Sequence, residues 1–424
     1  MGFFPLHSLY KSLFFIVQLI MCRYANLDNI FQPNNLFISF LPSIENITYI
    51  CRNQKYKSIS YMEEIKKVLI IRFRQIGDSV LTTALCSTIK RNFPTAEIHY
   101  ILNKGIAPLY ENHPDIDKVI TFDKKENKSS LCYIKKVWKI VHQNDYDVII
   151  DIRSTFKTLF FSLFSLNSPF RIGRDRGYVK YFFNYRIKSY SENPTVDVVH
   201  HDLQFVSPLE KIKPIKYISD FKIYLTEKEK KEFRNYMEKE GIDFNLPILL
   251  IGVTTKLAHK KWNTEYMVNI LKTILEKHEN IQMIFNYAPG YEEEDARNVY
   301  KKLGCSERIK INIQASSLRQ LAALCANCSF YFGNEGGTRH IAQAVGIESF
   351  AIFSPSASKL MWLPSNSIFA EGISVDDVLS QEQQTGMTYE QRFNAITPEE
   401  VYKRLKPIIT ELTSNHKIKT QDRN

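Results

Sequence analysis

The residues best suited to chemistry stand in three loops, and the first of these loops is centred on Asp78. It reads Arg-Phe-Arg-Gln-Ile-Gly-Asp from Arg72 onward and follows an apolar run. A carboxylate in such a loop acts as a general base when it lies within hydrogen-bond reach of the hydroxyl that it deprotonates. Asp is also a preferred N-cap residue, so capping of the next helix is the alternative for Asp78. The loop therefore predicts either a base or a helix cap.

The second loop is basic and contains Thr254, Thr255, Lys260 and Trp262. Hydroxyls and backbone amides after a strand, followed by a lysine near a helix start, are typical of a diphosphate site. The alternative is a solvated basic loop in which Trp262 serves as a packing anchor. Asn263, which comes next, is a good N-cap for the following helix.

The third loop reads Gly-Asn-Glu-Gly-Gly-Thr-Arg-His and ends at His340. Its adjacent glycines, Gly336 and Gly337, let a phosphate approach backbone N–H groups at the start of a helix, where the helix dipole favours anions. A simple tight turn is the alternative for the glycine pair, and a buried structural histidine is the alternative for His340. Because Glu335 would repel a diphosphate, we expect it to contact a sugar hydroxyl or to orient a lysine.

These loops require strands and helices to position them, and from Lys67 onward apolar β-branched runs alternate with helical stretches. The predicted strands are Val68–Ile71, Glu97–Leu102, Lys118–Thr121, Asp147–Ile150, Ile248–Val253, Gln282–Phe285, Phe330–Phe332 and Ser349–Phe353. The predicted helices include Ser79–Asn92, Tyr133–His142, Tyr266–Lys277, Glu292–Leu303 and Gly337–Val345. Near-continuous apolar strands are typical of a parallel sheet buried on both faces. The pattern predicts an α/β protein with two doubly wound units, whose ligands bind outside the carboxyl ends of the strands.

The length of 424 residues exceeds what one hydrophobic core usually organises. We place an atypical extension at residues 1–61, a first unit at 62–215, a second unit at 216–395, and a C-terminal helix with a polar tail at 396–424. The apolar run 13–22 is shorter than the roughly 20 residues that span a bilayer. Since Met62 opens a typical entry into a first strand, we expect it to be the working start. No transmembrane span is expected after it.

The net charge of +11 indicates an anionic partner without identifying it. A nicotinamide-dependent dehydrogenase is disfavoured because the first strand-to-helix turn lacks G-x-G-x-x-G. A nucleic-acid partner is disfavoured because the basic residues are spread along the chain and form no recognisable binding motif.

The seven cysteines indicate a reducing compartment, because their number is odd and their spacing irregular. We therefore expect a cytoplasmic protein. Cys325 and Cys328 have the spacing of half a zinc site, but no second pair supplies the other ligands. We expect them to be small buried residues at a helix-to-strand junction.

In order and spacing, several stretches resemble glycosyltransferase family 9, the family of the lipopolysaccharide heptosyltransferases. They are Ile-Arg-Phe-Arg-Gln-Ile-Gly-Asp from residue 71, Asn-Phe-Pro-Thr-Ala-Glu-Ile from 92, Asn-His-Pro-Asp-Ile-Asp from 112, Lys-Lys-Trp from 260 and Phe-Gly-Asn-Glu-Gly-Gly-Thr-Arg-His from 332. The resemblance runs from about Lys67 to about Pro364. It implies a GT-B fold, in which two Rossmann-like doubly wound domains face a cleft. The first domain would bind the acceptor and the second the nucleotide-sugar.

The resemblance also implies roles for individual residues. Asp78 matches the proposed catalytic base, and Lys260 matches the lysine that contacts the donor phosphates. The remaining donor-binding matches are Thr254, Thr255, Glu292, Glu335, Gly336, Gly337, Thr338 and His340. Two residues depart from the family pattern: Glu335 stands where better-known members often have Asp, and Asn263 stands where they often have Pro. In addition, the loop between Thr255 and Lys260 needs a length adjustment.

The implied reaction is a single inverting displacement without a metal or another cofactor. Asp78 would deprotonate the acceptor hydroxyl, while Lys260 and the amides of Gly336 and Gly337 would stabilise the leaving diphosphate. No Asp-x-Asp motif stands at a strand end to hold a divalent ion. The expected donor is ADP-heptose, and the expected acceptor is a lipopolysaccharide core or a related anionic glycolipid. The alternative is a non-catalytic, sugar-nucleotide-binding relative, which the Glu335 departure leaves open.

Basic residues of the first unit are the candidates for acceptor binding. They are Arg72, Arg74, Arg153, Lys157 and Arg174. Several follow predicted strands, where they would grip carboxylates or phosphates of the acceptor. A solvated basic surface is the alternative, since Lys and Arg are mostly exposed. An acceptor patch would also imply peripheral contact with the inner membrane.

Overall fold

The computed structural model describes residues 64–176, 182–188, 195–364 and 366–421. The expected extension at residues 1–61 and the expected start at Met62 lie outside the described residues. Over the ranges described, no helix combines the length and the apolar character needed to cross a membrane.

The N-terminal half is a six-stranded parallel sheet with helices on its faces, in the order β3-β2-β1-β4-β5-β6. Its strands are β1 (Lys67–Ile71), β2 (Glu97–Asn103), β3 (Lys118–Phe122), β4 (Val148–Asp151), β5 (Phe170–Arg174) and β6 (Tyr185–Ile187). Its helices are α1 (Ile76–Leu81), α2 (Thr83–Asn92), α3 (Lys124–Lys128), α4 (Ser130–His142), α5 (Leu159–Leu163) and α6 (Val198–Leu203). The order reverses beside β1, so the loops after β1 and β4 open at a topological switch point.

The C-terminal half repeats this topology, in the order β12-β11-β10-β7-β8-β9. Its strands are β7 (Ile248–Gly252), β8 (Gln282–Phe285), β9 (Ile309–Lys310), β10 (Phe330–Asn334), β11 (Ser349–Ile352) and β12 (Ala370–Ile373). Its helices are α7 (Glu227–Lys239), α8 (Thr264–Lys277), α9 (Tyr291–Lys302), α10 (Leu318–Ala326), α11 (Gly337–Ala344), α12 (Lys359–Trp362), α13 (Gln381–Gln384), α14 (Tyr389–Asn394) and α15 (Pro398–Gln421). The predicted α/β class and the two doubly wound units are confirmed.

The hydrophobic core joins the two halves instead of ending at each of them. Side chains of β7 alternate between the two faces of their sheet. Ile248 and Leu250 belong to the same buried cluster as Val68 and Ile70 of β1. On the opposite face, Leu249 packs in a second cluster with residues of α8 and α15. The halves are therefore packed against each other through apolar contacts.

Arg319 of α10 forms a polar link across the same junction. Its Nη1 donates to the carbonyl oxygens of Pro108, at 3.3 Å, and Glu111, at 3.0 Å, both in the N-terminal half. Its Nε and Nη2 donate to the carboxylate of Glu229 at 2.5 and 2.9 Å. The guanidinium is mostly buried, so its bonds cannot be replaced freely by water.

Two local expectations are confirmed by the fold. Asn263 caps α8, because its side chain accepts from the backbone N–H groups of Glu265 and Tyr266. Cys325 and Cys328 are free and buried near the junction of α10 and β10, where burial raises the pKa of both thiols.

Candidate functional site

The loop after β1 has an unusual backbone that places Asp78 inside the first turn of α1. Arg74 has a φ of 72° and Gln75 a φ of 44°, a region that non-glycine residues rarely adopt. Such conformations cost about 1 to 3 kcal/mol each and are concentrated at functional sites. The N-cap of α1 is Gln75, and Asp78 is the third residue of the helix. The alternative that Asp78 is the N-cap is therefore wrong.

The Asp78 carboxylate is mostly buried and has a cationic partner. Its Oδ1 accepts from Nη2 of Arg72 at 3.0 Å, and its side chain is 13% exposed. Burial raises the pKa of Asp78, Arg72 opposes that shift, and the neighbouring Asp202 adds to it. A carboxyl group with a raised pKa is a stronger base than an ordinary surface carboxylate.

Arg72 contacts a second buried carboxylate, that of Asp202 on α6. The same Nη2 lies 3.5 Å from Oδ2 of Asp202, which also accepts from the Thr82 hydroxyl at 2.9 Å. Nη2 of Arg174 lies 3.6 Å from the other oxygen of Asp202. Two arginines and two carboxylates thus form one polar network behind the loop. Arg72 and Arg174 contribute to this network with buried guanidinium groups.

The other basic candidates of the N-terminal half are more accessible. Arg153 is half-buried, whereas Arg74 and Lys157 are exposed. Burial, followed by the charge of Arg72, lowers the pKa of Arg153, and the charges of Arg74 and Arg176 act in the same direction. This concentration of positive charge favours an anionic ligand at the ends of β1 and β4.

In the C-terminal half, Lys260 and Glu335 form an ion pair at the end of β10. Nζ of Lys260 lies 2.9 Å from Oε2 of Glu335, whose side chain is 9% exposed. An ammonium group has three donors, so Lys260 can bind a phosphate oxygen while it stays paired. The pairing agrees with the expectation that Glu335 orients a lysine.

His340 is buried beside this pair. Its Nε2 lies 4.0 Å from Oε1 of Glu335, and its Nδ1 lies 2.8 Å from Nη2 of Arg339. Burial lowers the pKa of His340 well below its ordinary value, so the ring is neutral at physiological pH. A neutral ring packed between charged groups is suited to holding the loop in position.

Asn334 joins the lysine loop to the glycine loop. Its amide nitrogen donates to the carbonyl of Gly252 at 2.9 Å, and its oxygen accepts from the backbone N–H of Trp262 at 2.8 Å. Gly333 must be glycine because its φ is 147° and a Cβ would lie 2.4 Å from the carbonyl oxygen of Gly252. The position of Asn334 at the end of a strand was a sequence signal for this role, but the sequence interpretation did not single it out.

The threonines assigned to the donor have different surroundings. Thr254 is buried, and its hydroxyl donates to Asp295 at 3.4 Å. The hydroxyl of Thr255 donates to the carbonyl of Leu257 at 2.7 Å. Thr338 accepts from the Asn286 amide at 3.1 Å. Asp295 and Asn286 were not identified from the sequence, although Asn286 also stands directly after a strand.

Glu292 lies in the first turn of α9, where Oε2 accepts from the backbone N–H of Ala288 at 3.4 Å. Its carboxylate therefore faces the loop that follows β8. This loop also carries Asn286, so Glu292 and Thr338 belong to the same end of the sheet.

The two halves meet where their candidate residues are concentrated. A Cβ added to Gly77 would lie 2.7 Å from Cδ2 of His340, and one added to Gly337 would lie 3.4 Å from Cβ of Ile76. The starts of α1 and α11 are therefore in direct contact. This contact brings the residue next to Asp78 against the loop that contains Glu335, the partner of Lys260.

Two Asp-x-Asp triplets, at 115–117 and 145–147, precede strands and so lie away from this junction. Asp117 pairs with Nζ of Lys90 at 2.9 Å. Asp147 accepts from the backbone N–H groups of Lys66 and Lys67 at 2.8 and 3.0 Å. In the ranges that the structure covers, no group of three or more His, Cys, Asp and Glu side chains is arranged to hold a metal ion.

Comparison with known proteins identifies relatives of the chain. The family described as glycosyltransferase family 9 (heptosyltransferase) matches residues 134–376, more than half of the chain. Lipopolysaccharide heptosyltransferase 1 of Campylobacter coli is 22% identical over 297 residues, which cover 69% of this chain and 85% of that protein. Lipopolysaccharide core heptosyltransferase OpsX of Haemophilus influenzae is 24% identical over 299 residues, which cover 69% of this chain and 80% of that protein.

Solved structures share the fold. A family 9 glycosyltransferase of Veillonella parvula aligns with a TM-score of 0.67 at 17% identity, covering 82% of this chain and 99% of that chain. The ADP-heptose lps heptosyltransferase II of E. coli aligns with a TM-score of 0.61 at 19% identity, covering 81% and 99%. None of these similarities supports the non-catalytic alternative. With the matching family and the fold in agreement, the chain belongs to glycosyltransferase family 9 and is a glycosyltransferase of the GT-B fold.

Proposed function

We propose that this glycosyltransferase moves heptose from ADP-heptose to a lipopolysaccharide core or a related anionic glycolipid. The transfer is an inverting displacement in which Asp78 is the base and no metal takes part. The observation that carries the proposal is the contact between Gly77 and the His340 ring. It brings the first turn of α1, which carries Asp78, against the first turn of α11, which follows the glycine loop.

The donor assignment is supported by the chemistry of the C-terminal half. Lys260 supplies a positive charge, and the backbone N–H groups at the start of α11 suit an anionic diphosphate. Gly336 and Gly337 have no Cβ, so the diphosphate can lie close to the chain. The E. coli heptosyltransferase II that shares this fold is described as an ADP-heptose enzyme. Glu292 is available for the ribose hydroxyls of the nucleotide.

The acceptor assignment is supported by the charge of the N-terminal half. Arg74, Arg153 and Lys157 remain accessible on the loops after β1 and β4, while Arg72 and Arg174 hold the network behind Asp78. Guanidinium groups suit the carboxylates and phosphates of an anionic saccharide. The relatives from Campylobacter coli and Haemophilus influenzae are named for lipopolysaccharide and its core.

In the reaction, Asp78 accepts the proton of the acceptor hydroxyl as its oxygen forms a bond to the anomeric carbon. The bond from that carbon to the diphosphate oxygen breaks, and its electron pair leaves with ADP. Lys260 and the amides of Gly336 and Gly337 stabilise the charge that develops on the diphosphate. Because the two bonds lie on opposite sides of the carbon, the configuration inverts.

Metal independence is supported by the placement of the acidic residues. Divalent ions that bind diphosphates are usually held by carboxylates next to the phosphates. Here the carboxylate beside the glycine loop, that of Glu335, is paired with Lys260. Both Asp-x-Asp triplets precede strands, and Asp117 and Asp147 have partners of their own. Lysine and backbone amides are thus the groups available to neutralise the leaving ADP.

The test is the Asp78→Asn variant. We expect turnover of ADP-heptose with a lipopolysaccharide-core acceptor to fall by about two to four orders of magnitude, the usual contribution of a general base. Donor affinity, measured by calorimetric titration with ADP-heptose, should stay within about twofold, because the donor groups lie in the other half.

Asp145→Asn is the matched control for this test. Asp145 is exposed, and its φ of 41° is one that Asn tolerates equally well. It precedes β4, at the end of the strand away from the candidate site. Its turnover should equal that of the unmodified protein. A parallel loss of donor affinity and turnover in Asp78→Asn would contradict the assignment of the base, and absence of ADP-heptose binding would contradict the donor.

A further inference from the structure

A basic surface with an apolar tip lies on α3, on α4 and on the turn between them. It consists of the exposed side chains of Lys124, Lys125, Lys128, Leu131, Lys135 and Lys139, and is called the basic rim below. Leu131 is 70% exposed. Leu131, Lys135 and Lys139 are spaced by four residues on α4, so they form one stripe along the helix.

The basic rim begins at the carboxyl ends of the strands of the first sheet, where the candidate site also lies. α3 directly follows the carboxyl end of β3, and α4 starts there before it returns along the sheet. Nζ of Lys157, a candidate acceptor residue, donates to the carbonyl of Asn127 on α3 at 2.6 Å. The rings of Phe73, next to Arg72, and Tyr133 of α4 lie 6.4 Å apart. The rim is therefore adjacent to the loops after β1 and β4.

The positive charge of the basic rim is not neutralised locally. The nearby carboxylates, Asp123 and Glu126, form a capping box at the start of α3, and Glu126 also pairs with Lys136 at 2.7 Å. None of the five rim lysines has a carboxylate partner within the residues that the structure describes. A cluster of unpaired lysines attracts an anionic surface by about 1 kcal/mol per lysine, which is about fivefold in affinity.

Leu131 distinguishes a lipid surface from other anionic partners. A single exposed leucine is ordinary on a protein surface. Here it stands at the start of a helix between lysines on both sides, and a bilayer offers anionic headgroups to the lysines and an apolar layer to the leucine. The phosphate backbone of a nucleic acid would give the apolar tip no favourable environment. Lysines together with an apolar tip therefore favour an anionic bilayer.

We propose that the basic rim docks this enzyme on a bilayer rich in anionic lipid, with Leu131 inserted among the headgroups. Docking would hold the candidate site at the height of saccharides that project from the membrane. The proposal rests on the proposed function for one point, that the acceptor is a glycolipid. The surface involved is separate from the arginines around Asp78, of which Arg72 and Arg174 are buried within the protein.

The test is sedimentation of the full chain with vesicles of phosphatidylcholine alone or with about one third phosphatidylglycerol. We expect binding to the anionic vesicles, weakened by salt. The Lys124→Gln/Lys125→Gln/Lys128→Gln triple variant should bind roughly a hundredfold more weakly. Leu131→Ser should bind roughly tenfold more weakly without any change in charge, because a leucine no longer enters the apolar region.

Matched controls lie in the C-terminal half. Lys228, Lys231 and Lys239 on α7 are exposed, and their triple Gln variant removes the same charge. Leu360 is 56% exposed, so Leu360→Ser matches Leu131→Ser. Both controls should bind as the unmodified protein does. Equal loss in the rim and control triples, or unchanged binding in the rim triple, would overturn the proposal.

The binding experiments distinguish a nucleic-acid partner from an error in the proposed function. If the protein binds duplex DNA as strongly as vesicles, and if Leu131→Ser weakens neither interaction, the partner of the basic rim is a nucleic acid and not a membrane. Vesicle binding requires no turnover, so an inactive protein that binds through the rim would contradict the proposed function alone. When turnover is present, the rim triple should lose it with acceptor embedded in vesicles and keep it with deacylated, water-soluble acceptor.

Discussion

Arg72 contacts two carboxylates at once, and this double contact influences the pKa of the candidate base Asp78. The same guanidinium nitrogen lies 3.0 Å from Asp78 and 3.5 Å from Asp202. An arginine paired with Asp78 alone would lower the pKa of that carboxyl strongly and make it a weak base. Asp202 shares the arginine and adds its own negative charge, so burial dominates and the pKa of Asp78 is raised.

Asp202→Asn tests this sharing. With the charge of Asp202 removed, Arg72 acts on Asp78 alone, and the pKa of Asp78 should fall. A base works only when deprotonated, so activity is lost as the pH drops through its pKa. The acidic limb of the kcat–pH profile should therefore move to lower pH in the variant. The plateau should fall by about tenfold or more because the base is weaker.

Thr82→Val is the control for Asp202→Asn. It removes the hydrogen bond from the Thr82 hydroxyl to Asp202 but keeps both charges. The protein should be destabilised by about 1 to 3 kcal/mol, as expected for a buried acceptor left without its donor, while the acidic limb stays in place. An acidic limb that is the same in Asp202→Asn and the unmodified protein would show that Asp202 does not tune the base.

The sequence indicated Asp78, Lys260 and the glycine pair because these residues follow apolar runs, where strand ends must lie. The same rule applied to Asn286 and Asn334, whose roles depend on partners that the sequence does not reveal. Asp202 lies 120 residues from Thr82, its partner, near the end of a short helix. Only the folded chain brings such a residue behind the candidate base.

At the level of elements, the contact between α1 and α11 determines how the two candidate groups meet. Both helices follow a central strand of their sheet and carry a glycine in their first turn. Gly77 permits the His340 ring to lie against the backbone of α1, whereas a Cβ at Gly337 would make an ordinary contact with Ile76 at 3.4 Å. Gly77 thus allows a separation that a larger residue would prevent.

Gly77→Ala should disturb this contact. Its Cβ would lie 2.7 Å from Cδ2 of His340, so the ring or one of the helices must move. A displacement of about 1 Å at reacting groups can cost roughly a hundredfold in rate. We expect kcat to fall by about ten- to a hundredfold, while the affinity for ADP-heptose in calorimetric titration falls far less.

Gly105→Ala is the comparison for Gly77→Ala. No atom lies within 4 Å of a Cβ at Gly105, which is exposed on a turn of the same half. Its activity should equal that of the unmodified protein. Unchanged kcat in Gly77→Ala would show that the separation of α1 and α11 does not matter for the reaction.

Four strands were not predicted from the sequence, and the same physical reason explains all four. They are β5, β6, β9 and β12, and three of them form sheet edges. β6 and β9 have only three and two residues. β5 carries Arg171 and Arg174, and β12 carries Glu371 and Gly372. Short or polar strands lack an apolar run, and the neighbouring strand rather than their own composition holds them in place.

At the scale of the whole molecule, the halves form one packed body instead of two domains joined by a linker. The apolar cluster of the first sheet includes Ile248 and Leu250 of the second. Arg319 adds hydrogen bonds to carbonyl oxygens of the N-terminal half and to Glu229. The sequence predicted two units from length and pattern, but it contains no local signal for the surface between them.

Arg319→Lys tests whether this link couples the halves. Lysine keeps the charge but cannot reproduce the fork of bonds to Glu229 and the carbonyls of Pro108 and Glu111. We expect a loss of about 2 to 4 kcal/mol, because buried acceptors are left without donors. Scanning calorimetry should show the single unfolding transition of the unmodified protein separating into two. Arg308→Lys is the matched control, since Arg308 donates only to carbonyls of its own half, those of Leu275, His278 and Glu279.

The same link predicts how stability depends on pH. Hydrogen bonding from Arg319 lowers the pKa of Glu229 to about 2, whereas its ordinary value is 4.5. A carboxyl group with a depressed pKa stabilises the fold above its ordinary pKa and loses that contribution as the pH falls toward the folded value. Partial exposure of Glu229 limits the effect to roughly 1 to 3 kcal/mol. Urea unfolding between pH 5 and about pH 2 should therefore show a smaller acid-induced loss in Arg319→Lys than in Arg308→Lys. Equal losses in the two variants would mean that the Arg319 bond to Glu229 does not cause the acid-induced loss of stability.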